Sequence, residues 1–252
     1  MNVYTTSIAT DGFGAQYQRI IETYIYCSYN KLKFIYSHFT ILEHNYSNMY
    51  SFIANLENLI NLKDNIDSSD NIDINDNIDI NINRIKFDVV NNFFEKNIDI
   101  LCHHNSMQFI KECFWKNKNK DFFKNNKINV ALHIRRGDVN TTYNTERYLS
   151  NNYYLSIINI IKQKHKSDDV IYHLYSEGNI NDFNEFNEIN ECNIIFHLNE
   201  DLVSSFIGMV SAEILIMSKS SLSYTAALLS ESKEIYYKHF WHGSKKEWII
   251  NS

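Results

Sequence analysis

The feature that most constrains this chain is the segment from Ile128 to Asp138, which reads INVALHIRRGD. Its first part, up to Ile134, is a nearly continuous apolar run, which is typical of a parallel strand covered on both faces. Two arginines, a glycine and an aspartate follow directly. Ligands of open α/β sheets bind just beyond the carboxyl ends of such strands. The segment therefore predicts a buried strand that delivers Arg135 and its neighbours to a ligand site.

The charged tip of this segment predicts the kind of ligand. A guanidinium keeps its charge at neutral pH and presents a planar fork of donors that matches the oxygens of a phosphate. Arg135 therefore favours a diphosphate as ligand. Arg136, Gly137 and Asp138 also fit an ordinary turn with a local ion pair. As an adhesion signal, the same tripeptide would need an extracellular setting that no other part of the sequence indicates.

Length and charge narrow the function classes. The chain has 252 residues, enough for one large or two small domains with a proper core. Its net charge of −6 and pI near 5.9 provide no general attraction to nucleic acid or to anionic lipid. We therefore expect no nucleic-acid partner and a nucleotide site that is built locally.

The cysteines and the apolar stretches indicate the compartment. No stretch reaches the roughly 18 apolar residues that span a bilayer, and the N-terminus lacks a basic flank followed by a long apolar core. The cysteines lack the paired spacings of a zinc site or of a disulfide-rich secreted domain. They are Cys27, Cys102, Cys113 and Cys192. We expect buried thiols in a soluble, cytoplasmic protein without a membrane segment.

The second half, residues 125–252, alternates strands and helices. Predicted strands after the central segment cover residues 170–175, 193–197, 213–217 and 234–237, and predicted helices cover 153–164, 179–188, 202–211 and 221–229. This alternation indicates a parallel, Rossmann-like sheet. We therefore predict a nucleotide-binding half.

The first half, residues 1–115, has a less regular pattern. A strand at 3–8, a glycine loop, a helix from Gln16 to about residue 28 and a strand at 31–36 are predicted first, and helices at 45–62 and, in two segments, 87–123 follow. Gly12 and Gly14 let backbone approach a ligand, and amides at a helix N-terminus bind anions; a simple turn is the alternative. Residues 64–83 alternate Asn, Ile and Asp and predict a mobile insertion, with an edge strand as the alternative. Residues 116–127 are basic and predict a solvated connector, with an acceptor-binding surface as the alternative.

The central segment resembles a known motif. His133-Ile-Arg135-Arg136-Gly-Asp138 is similar to the HxRRxD motif of the α1,2-, α1,6- and protein O-fucosyltransferase superfamily. The resemblance implies a GT-B-like α/β fold, in which two Rossmann-like halves face a cleft and parallel sheets are flanked by helices. It also implies that Arg135 holds the β-phosphate of GDP-fucose, that His133 lies beside the nucleotide, and that Arg136 and Asp138 shape the loop.

Other stretches resemble further parts of the same superfamily. The sequence Gly12-Phe13-Gly14-Ala15-Gln16 is similar to its G-x-G-x-Q loop, which faces the sugar nucleotide, although many members have Asn in place of Ala15. A serine-rich turn that contacts the diphosphate matches Ser220, Ser221 and Leu222, and helix capping alone accounts for one of these serines. Where relatives place an acidic pair at the nucleotide, this chain has Glu177. The aspartate that recognises guanine aligns with Ser205, and Asp201 lies one helical turn earlier.

The resemblance implies an inverting, metal-independent transfer of fucose from GDP-fucose to a glycan or other hydroxyl acceptor, with no cofactor. Such a transfer needs a base for the acceptor hydroxyl and positive charge for the departing diphosphate. Glu146 is the candidate for this base. An ordinary surface carboxylate is an equally good interpretation of Glu146. Glu22 and Asp11 are the alternative candidates for the base. The DxD signature that holds Mn²⁺ in the other major glycosyltransferase architecture has no convincing match outside the low-complexity tract. The rival functions are a non-catalytic nucleotide- or carbohydrate-binding descendant and a transferase that uses another nucleotide-sugar.

Overall fold

The computed structural model describes residues 1–43, 50–63, 65–66, 81–187, 189 and 192–251. The chain divides into two compact units, unit 1 from Met1 to Lys118 and unit 2 from Asn119 to Ser252. The division lies inside the basic segment 116–127.

Unit 1 combines two parallel strands with helices. Its elements are β1 (Asn2–Thr6), α1 (Phe13–Tyr29), α2 (Tyr50–Ile60), β2 (Asn81–Ile85), α3 (Phe87–Lys96), α4 (Ile98–Leu101) and α5 (Asn105–Trp115). β1 and β2 pair in parallel, with Asn2 opposite Asn81 and Thr6 opposite Ile85. Tyr17, Ile21 and Ile25 follow the helical period on α1 and are fully buried, which fixes this helix in the core of the unit.

Several predictions for unit 1 need correction. α1 begins at Phe13, so Gly14 lies in its first turn and not in a loop. Residues 31–36 form only an isolated bridge, between Tyr4 and Phe34. The helix predicted over 87–123 ends at Trp115, and Asn117 adopts a φ of 64°, which cannot continue a helix.

The low-complexity tract, residues 64–83, also differs from the predicted mobile insertion where the structure describes it. Residues 81–83 belong to β2, so a mobile insertion is wrong for them. Pairing with β1 outweighs the poor strand propensity of Asn. Residues 64 and 67–80, like residues 45–49 of the predicted second helix, lie outside the described residues.

Unit 2 alternates strands and helices as predicted. Its elements in chain order are β3 (Ile128–Ile134), a 3₁₀ turn (Thr145–Arg147), α6 (Asn151–Lys164), a 3₁₀ turn (Ser167–Asp169), β4 (Val170–Ser176), a 3₁₀ turn (Ile180–Phe183), α7 (Asn184–Asn187), β5 (Asn193–Leu198), α8 (Leu202–Ser211), β6 (Ile214–Ile216), α9 (Ser221–Leu229), β7 (Glu234–Tyr237) and β8 (Ile249–Ile250). The two-residue strand β8 was not predicted.

The strands of unit 2 form one six-stranded parallel sheet in the order β5-β4-β3-β6-β7-β8. β3 lies in the middle, and Val130, Leu132 and Ile134 pack in a core that includes Tyr154 and Ile158 of α6. Fully burying one such side chain contributes about 1.5–3 kcal/mol. The predicted α/β class, with parallel sheets flanked by helices, is confirmed; that two halves face a cleft stays a prediction.

The strand order locates a crevice. From β3 the chain moves outward through β4 to β5, and it then returns to the other side of β3 to form β6. This is the doubly wound order, in which the connections after β3 and β6 leave in opposite directions. Ligands of such sheets bind outside the carboxyl ends of the two strands at this switch point.

The cysteines are free thiols. Burial raises the pKa of Cys27 to about 12 and that of Cys113 to about 11. Cys102 and Cys192 are only partly buried, which corrects the expectation that all the cysteines are buried.

Within the described ranges, no helix combines the length and the apolar character needed to cross a membrane.

Candidate functional site

One buried hydrogen bond ties the carboxyl ends of β3 and β6 together. Nδ1 of His133 lies 2.8 Å from Oγ of Ser218. The two residues are only 8% and 2% exposed. Burial, and after it the positive charge of Arg135, lower the pKa of His133 to about 3, while Asp138 opposes this shift. His133 is therefore neutral near pH 7 and acts at the switch point as an uncharged hydrogen-bonding group.

Arg135 leaves the end of β3 and is oriented by Asp138. Its Nε donates to Oδ1 of Asp138 at 3.1 Å, and its Nη2 donates to Oδ2 at 2.6 Å. This bidentate pair fixes the plane of the guanidinium. The Arg135 side chain remains 18% exposed, and its Nη1 meets no acceptor in the described part of the chain. One edge of the guanidinium is thus available to an oxyanion.

Arg136 anchors the loop. Its Nη1 donates to the carbonyl oxygen of Arg135 at 2.9 Å, its Nη2 donates to Oδ1 of Asn151 at 2.7 Å, and its guanidinium lies 4.6 Å from the ring centroid of Tyr148. Nδ2 of the buried Asn151 donates in turn to the carbonyl oxygen of Asp182 at 2.8 Å. The second arginine therefore joins the loop after β3 to the start of α6.

Gly137 brings the loops after β3 and β4 into close approach. Its φ is 74°, in the left-handed region, and a Cβ at this position would collide with the carboxylate of Glu177. Ser176 reinforces the approach, because its Oγ donates to the carbonyl oxygen of Ile134 at 2.6 Å. The exposed carboxylate of Glu177 consequently lies beside the arginine loop.

The turn between β6 and α9 faces the same crevice. Oγ of Ser220 caps α9 by accepting from the backbone N–H of Leu222 at 3.2 Å. Oγ of Ser221 lies 3.1 Å from Nε2 of His242. Capping accounts for Ser220, so the feature of this turn that points to an anion is the N-terminus of α9 beside Ser221.

Lys219 adds a second cation to this turn. Its Nζ donates to the carbonyl oxygen of Glu146 at 2.9 Å and so connects the turn to the 3₁₀ segment after the arginine loop. The Glu146 side chain itself is 65% exposed, and its Oε1 lies 3.4 Å from Nε of Arg147. The candidate base therefore lies in the loop that borders the crevice, with its carboxylate in solvent.

Asp201 and Ser205 lie away from the β3–β6 switch point. They follow β5, which is separated from β3 by β4. Oδ1 of Asp201 accepts from the backbone N–H of Ser204 at 2.9 Å and caps α8. In the residues that the structure describes, no hydrogen bond joins Asp201 or Ser205 to the arginine loop or to the turn before α9.

The predicted donor-facing loop belongs to unit 1. Gly12 is the N-cap of α1, with an extended φ of −68°, and Phe13 and Gly14 are buried. Nε2 of Gln16 donates to the backbone oxygens of Asp11 and Ile41, at 2.6 and 2.7 Å. Both amide hydrogens of this side chain are therefore occupied in holding the loop.

The two substitute bases are also in unit 1. Asp11 forms an ion pair with Arg19. Glu22 is fully buried on α1, accepts from Nε2 of Gln18 at 2.7 Å, and has no partner at Oε2. Burial raises the pKa of Glu22 to about 8. A carboxyl group without solvent access cannot reach an acceptor hydroxyl in this conformation.

Sequence reasoning missed several residues at the crevice. They are Asn151, Ser218, Lys219, Trp241 and His242. Trp241 is 45% exposed, lies 4.9 Å from the Arg147 guanidinium, and donates through Nε1 to Nε2 of His242 at 2.9 Å. No local pattern indicates these residues, since each acts through a contact with a distant part of the chain. Among the described residues, no group of three or more His, Cys, Asp or Glu side chains is arranged to hold a metal ion.

Comparison with known proteins leaves the family of the chain open. No protein-family model matches the sequence. No curated protein matches it either. A crystal structure of POFUT1 in complex with GDP is similar to this chain with a TM-score of 0.47 and 12% sequence identity, over 92% of this chain and 94% of that chain. A likeness of this size does not show a family.

Proposed function

We propose that the chain is a glycosyltransferase that binds a nucleoside diphosphate sugar at the β3–β6 switch point and passes the sugar to a hydroxyl acceptor. The observation that carries the proposal is the Arg135 guanidinium at the carboxyl end of β3. Asp138 orients it through 3.1 and 2.6 Å hydrogen bonds, and its Nη1 meets no acceptor in the part of the chain that is described.

Three kinds of donor belong to the loops that follow β3 and β6, where the diphosphate is proposed to bind. Arg135 supplies a planar fork, Lys219 supplies an ammonium group in the turn after β6, and the N-terminus of α9 supplies backbone N–H groups. Donors that are already oriented stabilise charge as it develops on a leaving group, without further reorganisation. The site thus suits a diphosphate that departs with an extra negative charge.

The proposed reaction is a single displacement. The acceptor oxygen attacks the anomeric carbon of the sugar, a new C–O bond forms, and the bond from that carbon to the phosphate oxygen breaks. The bonding electrons leave with the nucleoside diphosphate, and configuration is inverted. Glu146 is the proposed recipient of the acceptor proton, since it is the carboxylate on the loop joined to Lys219. Arg135 and Lys219 stabilise the leaving group, so the proposal requires no metal ion.

The identities of the transferred sugar and of the nucleobase of the donor are proposed from the motif. His133-Ile-Arg135-Arg136-Gly-Asp138 resembles the HxRRxD motif of fucosyltransferases, which favours GDP-fucose as donor. Phosphate binding has additional support from the positions of Arg135 and Lys219. Guanine recognition through Asp201 or Ser205 has no comparable support, because Asp201 caps α8.

A second candidate is a protein that binds the nucleotide without transferring a sugar. This candidate is favoured by the Glu146 side chain, which is 65% exposed. Its Oε1 lies 3.4 Å from Nε of Arg147. A general base is normally positioned by the residues around it. A protein that had lost catalysis but kept the arginine site would have such an exposed carboxylate at residue 146.

Thermal unfolding of the full chain with GDP, UDP, dTDP or CDP, followed by a donor-hydrolysis assay in EDTA, separates these functions. A ligand at 100 times its Kd stabilises the native state by about 2.7 kcal/mol. We expect GDP to raise the Tm most, and GDP-fucose to release free fucose and GDP in the presence of EDTA. Binding of GDP without turnover of any donor would favour the binding protein. Failure of all four nucleotides would contradict both functions.

A further inference from the structure

A pocket in unit 1 contains positive charge that the proposed nucleotide site does not use. It lies at the carboxyl ends of β1 and β2 and has a volume of about 110 Å³. Its wall includes Thr6 from β1, Arg84 from β2, and Gln16 and Arg19 from α1. A cavity of about 10–15 Å³ on this measure already holds one water molecule, so the pocket has room for a small ligand group.

The arginines that line the pocket make its wall positively charged. Arg19 and Arg84 both line it, and no Asp or Glu side chain of the described residues does. Asp11 pairs with one edge of Arg19 from outside the wall, and the Arg19 guanidinium lies 4.3 Å from the ring centroid of Phe87. The ion pair and the ring fix the orientation of this guanidinium, which reduces the entropy that a ligand would have to remove.

Both guanidiniums retain donors. Nη1 of Arg84 donates to the backbone oxygen of Thr6 at 3.1 Å. Across the described ranges, Nη2 of Arg84 and Nη1 of Arg19 contact no acceptor. Two planar forks with unused N–H groups on one pocket wall are the arrangement that proteins use for carboxylate and phosphate oxygens.

Further polar side chains line the pocket. They belong to Ser37, His38 and Thr40. The neighbouring carboxylate of Glu57 does not line the pocket; it accepts from the hydroxyl of Tyr36 at 2.7 Å and from the backbone N–H of Phe39 at 2.8 Å. Nδ1 of His38 lies 3.4 Å from Oε1 of Glu57. Hydroxyl groups are thus available to complete the hydrogen bonding of an oxyanion.

We propose that this pocket binds a small oxyanion, a carboxylate or a phosphate, between Arg19 and Arg84. The proposal goes beyond the transfer reaction and does not depend on it. Two kinds of ligand carry such an oxyanion: a larger molecule such as an acidic sugar, and a free inorganic ion.

Calorimetric titration of the full chain at constant ionic strength tests the proposal. The probes are glucuronate, inorganic phosphate and, as the neutral comparison, glucose. We expect at least one anion to bind and glucose not to bind. Arg84→Gln should weaken binding of that anion about tenfold or more, as the loss of a charge-assisted pair would. Lys86→Gln removes the same charge two residues away, at an exposed position outside the pocket wall, and should leave the affinity within about twofold of wild type.

The relative affinities identify the source of the anion. Tighter binding of glucuronate indicates an acidic sugar, and tighter binding of phosphate indicates the free ion. Equal loss of affinity in the Arg84 and Lys86 variants, binding of glucose, or absence of anion binding would overturn the proposal. Loss of anion binding in Arg135→Gln, with retention in Arg84→Gln, would place the anion in unit 2. That outcome would also overturn the pocket, while leaving the proposed nucleotide site intact.

Discussion

The carboxylate of Glu177 occupies the space that a Cβ of residue 137 would fill, so the loops after β3 and β4 fit together only because residue 137 is glycine. The φ of Gly137, 74°, adds a second requirement. A residue with a Cβ costs about 1–2 kcal/mol in this left-handed conformation.

Replacing this glycine should therefore destabilise the loop for two separable reasons. We expect Gly137→Ala to lower the free energy of unfolding by about 2 kcal/mol or more, from the conformation and from the clash together. The double variant Gly137→Ala/Glu177→Ala should recover part of the loss, because it removes the clash and leaves the backbone cost. Urea unfolding of both variants and of Glu177→Ala checks this, and strict additivity of the two single changes would contradict the contact.

Ser218→Ala should destabilise unit 2 by removing the hydrogen-bond partner of a buried imidazole. Leaving a buried polar group unpaired costs about 1–3 kcal/mol. Ser150→Ala is the matched control, since Ser150 is the N-cap residue that precedes α6 and makes no side-chain capping bond. Denaturant unfolding should show a clear loss for Ser218→Ala and a smaller one for Ser150→Ala. Equal losses would show that the bond between His133 and Ser218 contributes nothing specific.

Glu22→Gln should make the protein more stable above pH 6. Burial raises the pKa of Glu22 to about 8, so the folded state keeps a proton that the unfolded chain releases above its ordinary value of 4.5. Stability is therefore lost as the pH rises from 4.5 through 8. Glutamine keeps the acceptor for Gln18 and removes this loss, a gain on the order of 3 kcal/mol at pH 7.

The pH dependence of urea unfolding measures the effect. Glu112→Gln is the control, because Glu112 is exposed on α5 of the same unit. We expect the stability of wild type to fall relative to Glu22→Gln between pH 5 and pH 8, and the control to follow wild type. Parallel curves for wild type and Glu22→Gln would show that the carboxyl group is ionised in the folded state.

Glu146→Gln should reduce turnover with little effect on nucleotide binding. Loss of a general base slows a reaction by about 10²–10⁴-fold, and an amide cannot take the acceptor proton. Glu231→Gln changes the charge equally at an exposed ion pair with Lys120 and should leave kcat unchanged. Steady-state kinetics and GDP titrations of both variants measure the two quantities. Full turnover by Glu146→Gln would assign the base to another group.

The sequence predicted the elements whose burial leaves a direct trace. β3 is recognisable because both of its faces are covered, which makes residues 130–134 almost wholly apolar. Helices α8 and α9 were predicted with the bounds that the structure shows, Leu202–Ser211 and Ser221–Leu229. These elements depend on local period and capping, which a single sequence displays.

Elements that depend on distant pairing were missed, as β8 was, or were predicted only as an alternative, as a strand in the Asn-rich tract was. β8 has two residues, Ile249 and Ile250, and exists because Tyr236 and Tyr237 of β7 lie beside them. β2 forms in an Asn-rich stretch because β1 pairs with it. At the site, the motif pointed to Arg135, but Ser218 lies 85 residues from His133 in sequence, and no local signal connects them.

Calorimetric titration of GDP into wild type and Arg135→Ala tests the central claim most directly, with Lys233→Ala as a control for the loss of one exposed positive charge. A hydrogen bond to a charged group contributes about 1.5–3 kcal/mol, so we expect Arg135→Ala to weaken GDP binding about 10- to 100-fold. Arg135→Lys should recover part of the affinity, since lysine restores the charge without the planar fork. Wild-type affinity for GDP in Arg135→Ala would contradict the proposed phosphate site.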